Sequence, residues 1–175
     1  MTSRIALAAA GFAAATALAA CGGGSKAPGV QLAPSGGSTQ ASVPTTPKPP
    51  PALATKPVVA VPKGPAPSQL QVKYLVRGTG KPVAAGQQIT VNYVGVLYTT
   101  GKEFDSSWKR NQPFSTALTP GSVIPGWVKG LTGVPVGSRV QLTIPPNLAY
   151  GKQGQPPTIP PNSTLVFVID VLSAQ

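Results

Sequence analysis

Glu103, Asp105 and Asp170 are the only acidic side chains in a chain of 175 residues that carries 14 lysines and arginines. There is no histidine, and the single cysteine, Cys21, lies near the N-terminus. Ser-His-Asp and Cys-His catalysis therefore have no base, and zinc has no ligand set. An acid–base pair of carboxylates would need Glu103 with Asp105 or Asp170. Residues i and i+2 on a strand share a face, so that arrangement is open. Gly22–Gly24 follows no strand and opens no helix, which excludes a phosphate loop there. The richest stretch is Gly101–Phe114, GKEFDSSWKRNQPF. It holds two of the three carboxylates, the basic pair Lys109 and Arg110, and Phe104 and Phe114. Tyr93 precedes it and Trp127 follows it. Aromatic residues are scarce, with 2 Trp, 4 Tyr and 4 Phe, yet they gather around Asp105. That clustering suggests a pocket lined by rings about a buried acid.

The elements that must hold these residues begin at Ser68. Leu70, Val72, Tyr74 and Val76 alternate with polar partners, a strand signal. Gly78–Pro82 is a turn. Gln88–Leu97 is rich in strand formers, with Ile89, Val91, Tyr93 and Leu97 on one side. Thr99–Lys102 turns the chain into a strand around Glu103–Ser106, and another is expected at Phe114–Ala117. Val123–Leu131 reads as one short helix with Pro125 in its first turn. Its two internal glycines each cost about 1 kcal/mol relative to alanine. A helix this short needs packing to persist, so Trp127 and Leu131 must lie on the sheet. Arg139–Ile144 alternates as a strand. Residues 145–163 form a Pro/Gly/Asn loop of a length that is usually functional or disordered; its Leu148, Tyr150 and Ile159 need cover. Thr164–Leu172 is the last strand. The expected fold is α+β, a twisted antiparallel sheet wrapped on one short helix.

Before Ser68 the composition differs. Residues 1–20 carry Arg4 and then an Ala-rich apolar run, too short for a membrane span and typical of a secretory signal. The run ends in Leu18-Ala19-Ala20-Cys21-Gly22, which looks like a bacterial lipobox with cleavage before Cys21 and lipid on its sulfur. Several acyl chains on one residue would anchor the protein stably. This places it outside the cytoplasm, on a bacterial cell membrane. Residues 22–67 contain 11 prolines and 7 glycines and few large apolar side chains, so residues 21–67 read as a lipidated cysteine and a disordered tether. Its reach is about 40 Å as a coil and roughly 140 Å extended. The net charge of +11 is scattered, without a basic run or a stacking-aromatic stripe, so nucleic acid is not an expected partner. No dimerisation segment is visible, and a monomer is expected.

Read together, VNYVGVL (91–97), GKEFDSS (101–107), RNQPF (110–114), VIPGW (123–127), AYG (149–151) and TLVF (164–167) stand in an order and spacing that resemble the FKBP-type peptidyl-prolyl cis-trans isomerases. The resemblance covers residues 68–175. It implies an isomerase without cofactor or metal that acts on X–Pro segments of folding proteins, and it implies binding of the macrolides tacrolimus and rapamycin. It places Tyr93, Phe104, Asp105, Phe114, Val123, Ile124, Trp127, Tyr150 and Phe167 in the active site, and Ile159 beside the substrate. Trp127 would be the floor, and Tyr93, Phe104 and Phe167 the walls. Asp105 would be hydrogen-bonded to Tyr93 and paired with Arg110. The Tyr150 hydroxyl and the Ile124 N–H would meet substrate carbonyls. Phe114 and Val123 fit equally as packing residues. The chain departs from the family at Gln155, where His is common, at Thr158, where an aliphatic residue is common, and at Leu148 and Ser122. Gln155 and Thr158 make the rim more polar and bear on substrate preference; Ser122 matters less, because that position contributes through its backbone. Two other readings are a proline-segment binding module with little turnover, and an envelope protein that uses its charge on anionic polymers.

Overall fold

Alternation along two long strands gives the sheet an aromatic, apolar face and a valine-lined one. The computed structural model describes residues 51–175. Cys21, the apolar leader and the tether up to residue 50 lie outside the described residues. Six strands form one antiparallel sheet: β1 Gln71–Val76, β2 Gln88–Leu97, β3 Glu103–Ser106, β4 Phe114–Ala117, β5 Arg139–Ile144 and β6 Leu165–Ala174. Their order is β1-β5-β6-β2-β3, with β4 also paired to β2. β4 takes the first half of β2 and β3 takes the second half. β2 and β6 are in register from Val91↔Val171 to Leu97↔Leu165. Val91, Tyr93 and Leu97 of β2 therefore join Leu165, Phe167, Ile169 and Val171 of β6 and Val140, Leu142 and Ile144 of β5 in the main core.

One helix, α1 (Pro125–Leu131), closes that core. The sequence reading started it at Val123. The first two residues fall outside because a residue before proline is driven out of the α region, and Ile124 is an extended N-cap at ψ 148°. The two helix glycines are explained by packing. A Cβ on Gly126 would lie 2.4 Å from Ile144 Cγ2, and one on Gly130 would lie 2.9 Å from Leu142 Cδ1. Their absence lets the helix lie directly on β5, with Trp127 and Leu131 buried. The 145–163 loop carries a 3₁₀ turn at Pro146–Leu148 and a bridge between Gln155 and Ile159. β1 is an edge strand, and its alternating apolar set is not buried: Val72 and Tyr74 are exposed.

The larger departure lies in residues 51–67, whose composition predicts part of the disordered tether. Here they form a strap against the domain. Leu53 is fully buried. Val59 and Val61 pack against Val94, Val96, Tyr98 and Val166 on the sheet's second face. The Thr55 carbonyl accepts a hydrogen bond from Arg139 Nη2 at 2.8 Å, and Lys56 Nζ donates to Glu103 Oε2 at 2.8 Å. Composition misses this because the strap does not have to build a core of its own. The sheet's second face presents one ready-made, and Val59 and Val61 of the strap pack onto it beside Trp108.

Candidate active site

A cavity of about 330 Å³ opens over Trp127, lined by Tyr93, Phe104, Asp105, Arg110, Phe114, Ser122, Val123, Ile124, Trp127, Tyr150 and Phe167. Its rings meet edge to face. Trp127 stands at 79° to Tyr93 with centroids 5.3 Å apart, and at 90° to Phe167 with centroids 5.4 Å apart. Phe104 stands at 88° to Phe167. Such pairs set the quadrupole of one ring against another and hold each ring at a fixed angle. Gly95, opposite Phe167 in the sheet, is what admits them: a Cβ there would lie 2.7 Å from Phe104 and 2.8 Å from Phe167. Trp127 Nε1 is buried with no hydrogen-bond partner among the described residues.

The polar side of the cavity is a three-residue network. The Tyr93 hydroxyl donates to Asp105 Oδ2. Arg110 Nη1 donates to Asp105 Oδ1 at 2.6 Å, and its Nη2 donates to the Tyr93 oxygen at 2.8 Å. The backbone N–H of Ser106 adds a further donor to Asp105 at 2.8 Å. Burial pushes the Asp105 pKa up, but the donated hydrogen bonds of Tyr93 and Arg110 and the Arg110 charge outweigh it, so the carboxyl is held below its usual range. Tyr93 is pushed up to about 12, first by burial and then by its bond to Asp105. Tyr150 is also raised, by burial and by the Asp105 charge. At neutral pH the site thus holds a carboxylate anion and two neutral phenols. It has no group poised to trade a proton near pH 7.

The acid–base carboxylate pair left open by the sequence does not form. Glu103 is taken by Lys56 and Lys109, and Asp105 by Arg110. Asp170 lies buried on the sheet's second face against Arg139, at 2.5 and 2.8 Å.

A family model described as FKBP-type peptidyl-prolyl cis-trans isomerase matches residues 79–172. The chain belongs to this family. It is 44% identical over 119 residues to an FK506-binding protein of Streptomyces anulatus, covering 67% of this chain and 96% of the relative. Among solved structures, FkpA from Escherichia coli is similar at 45% identity and TM-score 0.56, over 61% of this chain and 48% of FkpA. AtFKBP13 is similar at 38% identity and the same TM-score, over 63% of this chain and 96% of that one. The family settles the enzyme class: the chain is an FKBP-type peptidyl-prolyl isomerase, and the antiparallel sheet and one helix of its described residues match the fold of these structures over the aligned part.

Within the isomerase fold, every site residue named from the sequence lines the cavity except Ile159. That side chain is 2% exposed and packs into the main core, so it supports the loop from beneath. Phe114 and Val123 both line the cavity and pack against the core. Ser107 escaped the sequence reading. Its Oγ accepts the Tyr93 N–H at 2.9 Å and donates to Asn92 Oδ1 at 3.0 Å, tying the end of β3 to the strand that carries Tyr93. Its only signal in the sequence is the buried-side Ser106-Ser107 pair after Asp105.

Proposed function

We propose that the cavity takes the proline ring of an X–Pro segment over Trp127 and turns the peptide bond between walls formed by Tyr93, Phe104 and Phe167. A peptide bond resists rotation by about 18–20 kcal/mol because resonance gives the C–N bond double-bond character. At X–Pro the two isomers differ by only about 0.5–1 kcal/mol and interconvert in tens to hundreds of seconds. No covalent bond is made or broken, which agrees with a site that offers neither nucleophile nor proton relay. The planar amide is the more polar and better solvated form. A dry ring-lined cavity disfavours it relative to the twisted amide. In this reading the Tyr150 hydroxyl and the Ile124 N–H, which precedes the helix and has no intrahelical partner, hold carbonyls on either side. Each ~1.4 kcal/mol gained by the twisted form over the planar one gives tenfold in rate. Asp105 organises the cavity as a fixed anion that orients Tyr93. The single observation that carries this reading is the aromatic cavity over a buried indole, with Asp105 hydrogen-bonded to Tyr93 and Arg110 at its edge.

The same cavity is the expected site for tacrolimus and rapamycin. The clients are X–Pro segments of secreted or envelope proteins, met by a monomer anchored through lipid on Cys21 to a bacterial cell membrane. The test is the cis-to-trans isomerisation of an uncharged X–Pro tetrapeptide by the full chain, with and without either macrolide. Acceleration that the drug blocks and that Trp127→Ala loses is the expected result. Drug binding without acceleration would leave a proline-segment binding module instead. Metabolic labelling of Cys21 with a fatty acid, lost in Cys21→Ala, tests the anchor.

A further inference from the structure

Between the strap and Asp105 runs a short series of contacts that the pocket itself does not require. The 3₁₀ turn Trp108–Arg110 sends three successive side chains to three places. Trp108 packs against the valine cluster on the sheet's second face, the same cluster that Val59 and Val61 of the strap cover. Lys109 Nζ lies 3.0 Å from Glu103 Oε1. Arg110 holds Asp105 and Tyr93. The other Glu103 oxygen accepts Lys56 of the strap at 2.8 Å. The Lys109 contact is one of charge, since Oε1 is buried and receives no well-directed hydrogen bond. Glu103 is therefore shared between the strap and the turn.

The arrangement matters because the Asp105–Arg110 pair is itself half exposed, with 43% and 50% of the two side chains open to solvent. An exposed pair of this kind is weak, because ordering a long arginine side chain costs rotamer freedom. Fixing the backbone that carries Arg110 removes the further cost of ordering that backbone when the pair forms. We propose that Lys56 and Glu103 are positioning residues, which act through the Trp108–Arg110 turn to hold Arg110 on Asp105. The strap is then a working part of the isomerase, although it lies wholly ahead of the family match at residues 79–172.

This inference rests on the reading that the Asp105 network serves turnover, so Asp105→Asn belongs in the same experiment. The full chain is compared with Glu103→Gln, Lys56→Met and Lys56→Arg, using an uncharged X–Pro tetrapeptide well below the unfolding temperature. At low salt, kcat/KM falls roughly threefold in Glu103→Gln and in Lys56→Met, the size expected of an exposed pair, while Lys56→Arg retains the wild-type value. Raising salt to about 1 M, where the Debye length is about 3 Å, brings the wild type down toward the two variants. The variants lose less on the same change. A merely structural strap would lower the unfolding midpoint and leave both kcat/KM and its salt dependence alone; that result overturns the proposal. Unchanged activity in Glu103→Gln and Lys56→Met with a clear loss in Asp105→Asn overturns it alone. Full activity in Asp105→Asn sinks the pocket reading and this inference together.

Discussion

The two faces of the sheet are cut from the same strands and closed in different ways. On one face Tyr93, Phe167 and their neighbours meet a helix, and the rings leave a cavity between them. On the other, Val94, Val96, Tyr98 and Val166 are sealed by an extended length of chain with two valines and a few polar clips. Adjacent residues of β2 serve both: Tyr93 stands at the cavity and Val94 under the strap. The cavity face needs rings held at fixed angles, so it is braced by edge-to-face pairs, a short helix and a glycine that makes room. The strap face needs only to be dry, and an extended cover does that. Small apolar side chains on one side of a strand thus stabilise the large aromatic ones on the other without competing with them for shape.

The sharpest way to break this contrast is to remove the floor of the cavity. Trp127→Ala deletes a side chain that is 4% exposed and should cost about 3–5 kcal/mol of stability, together with at least a tenfold fall in kcat/KM. Denaturant unfolding and the tetrapeptide assay check it; unimpaired turnover in a destabilised variant would move the active site elsewhere. The corresponding cut on the strap side is Leu53→Ala. If the strap is integral to the domain, losing this buried side chain costs about 2–4 kcal/mol by the same unfolding measurement. A change within ~0.5 kcal/mol would make the strap a loose appendage. Gly95→Ala probes the strand between the two faces. Its new methyl would press on Phe104 and Phe167, costing about 1–3 kcal/mol. The loss should show in macrolide affinity as well as stability, because the rings that shift are walls of the cavity.

Strands β2, β5 and β6 were legible because apolar strand formers recur along them at period 2, and β3 because the Thr99–Lys102 turn sets its start. The rings around Asp105 were legible because scarce aromatics stood in a family order. The strap was not, because its few apolar residues are interspersed with prolines and find their partners on a distant strand pair; no local period marks Leu53, Val59 or Val61. β1 misled in the opposite sense. Its alternation is that of a strand, but it sits at the sheet edge, where Val72 and Tyr74 stay outside the core and Tyr74 lies under the Arg77 guanidinium. Ile159 packs into the core and not along the cavity, a distinction that loop sequence does not encode.

The smallest effect is also the one that separates the faces by sign. Tyr93 is raised from 10 to about 12, so the fold favours its neutral phenol. Its contribution to stability is complete below pH 10 and is lost as pH climbs toward 12. Asp105 is held below its ordinary value, so the fold favours its anion. That contribution is complete above the usual carboxylate range and is lost as pH falls beneath it. Asp170, on the strap side, is raised because burial outweighs the opposing bonds and charge of Arg139. Its contribution is greatest in acid and declines as pH rises through the region just above the usual carboxylate range. Measured as unfolding free energy against pH, Asp105→Asn should flatten the acid decline, whereas Asp170→Asn should steepen it, whatever each variant loses at neutral pH. Tyr93→Phe should shrink the alkaline decline to the part left by Tyr150, and should also flatten the acid limb, because Asp105 loses the Tyr93 donor that helps hold it low. Equal changes of acid slope in the two Asn variants would mean that burial does not govern Asp170, and that the two faces hold their charges in the same way.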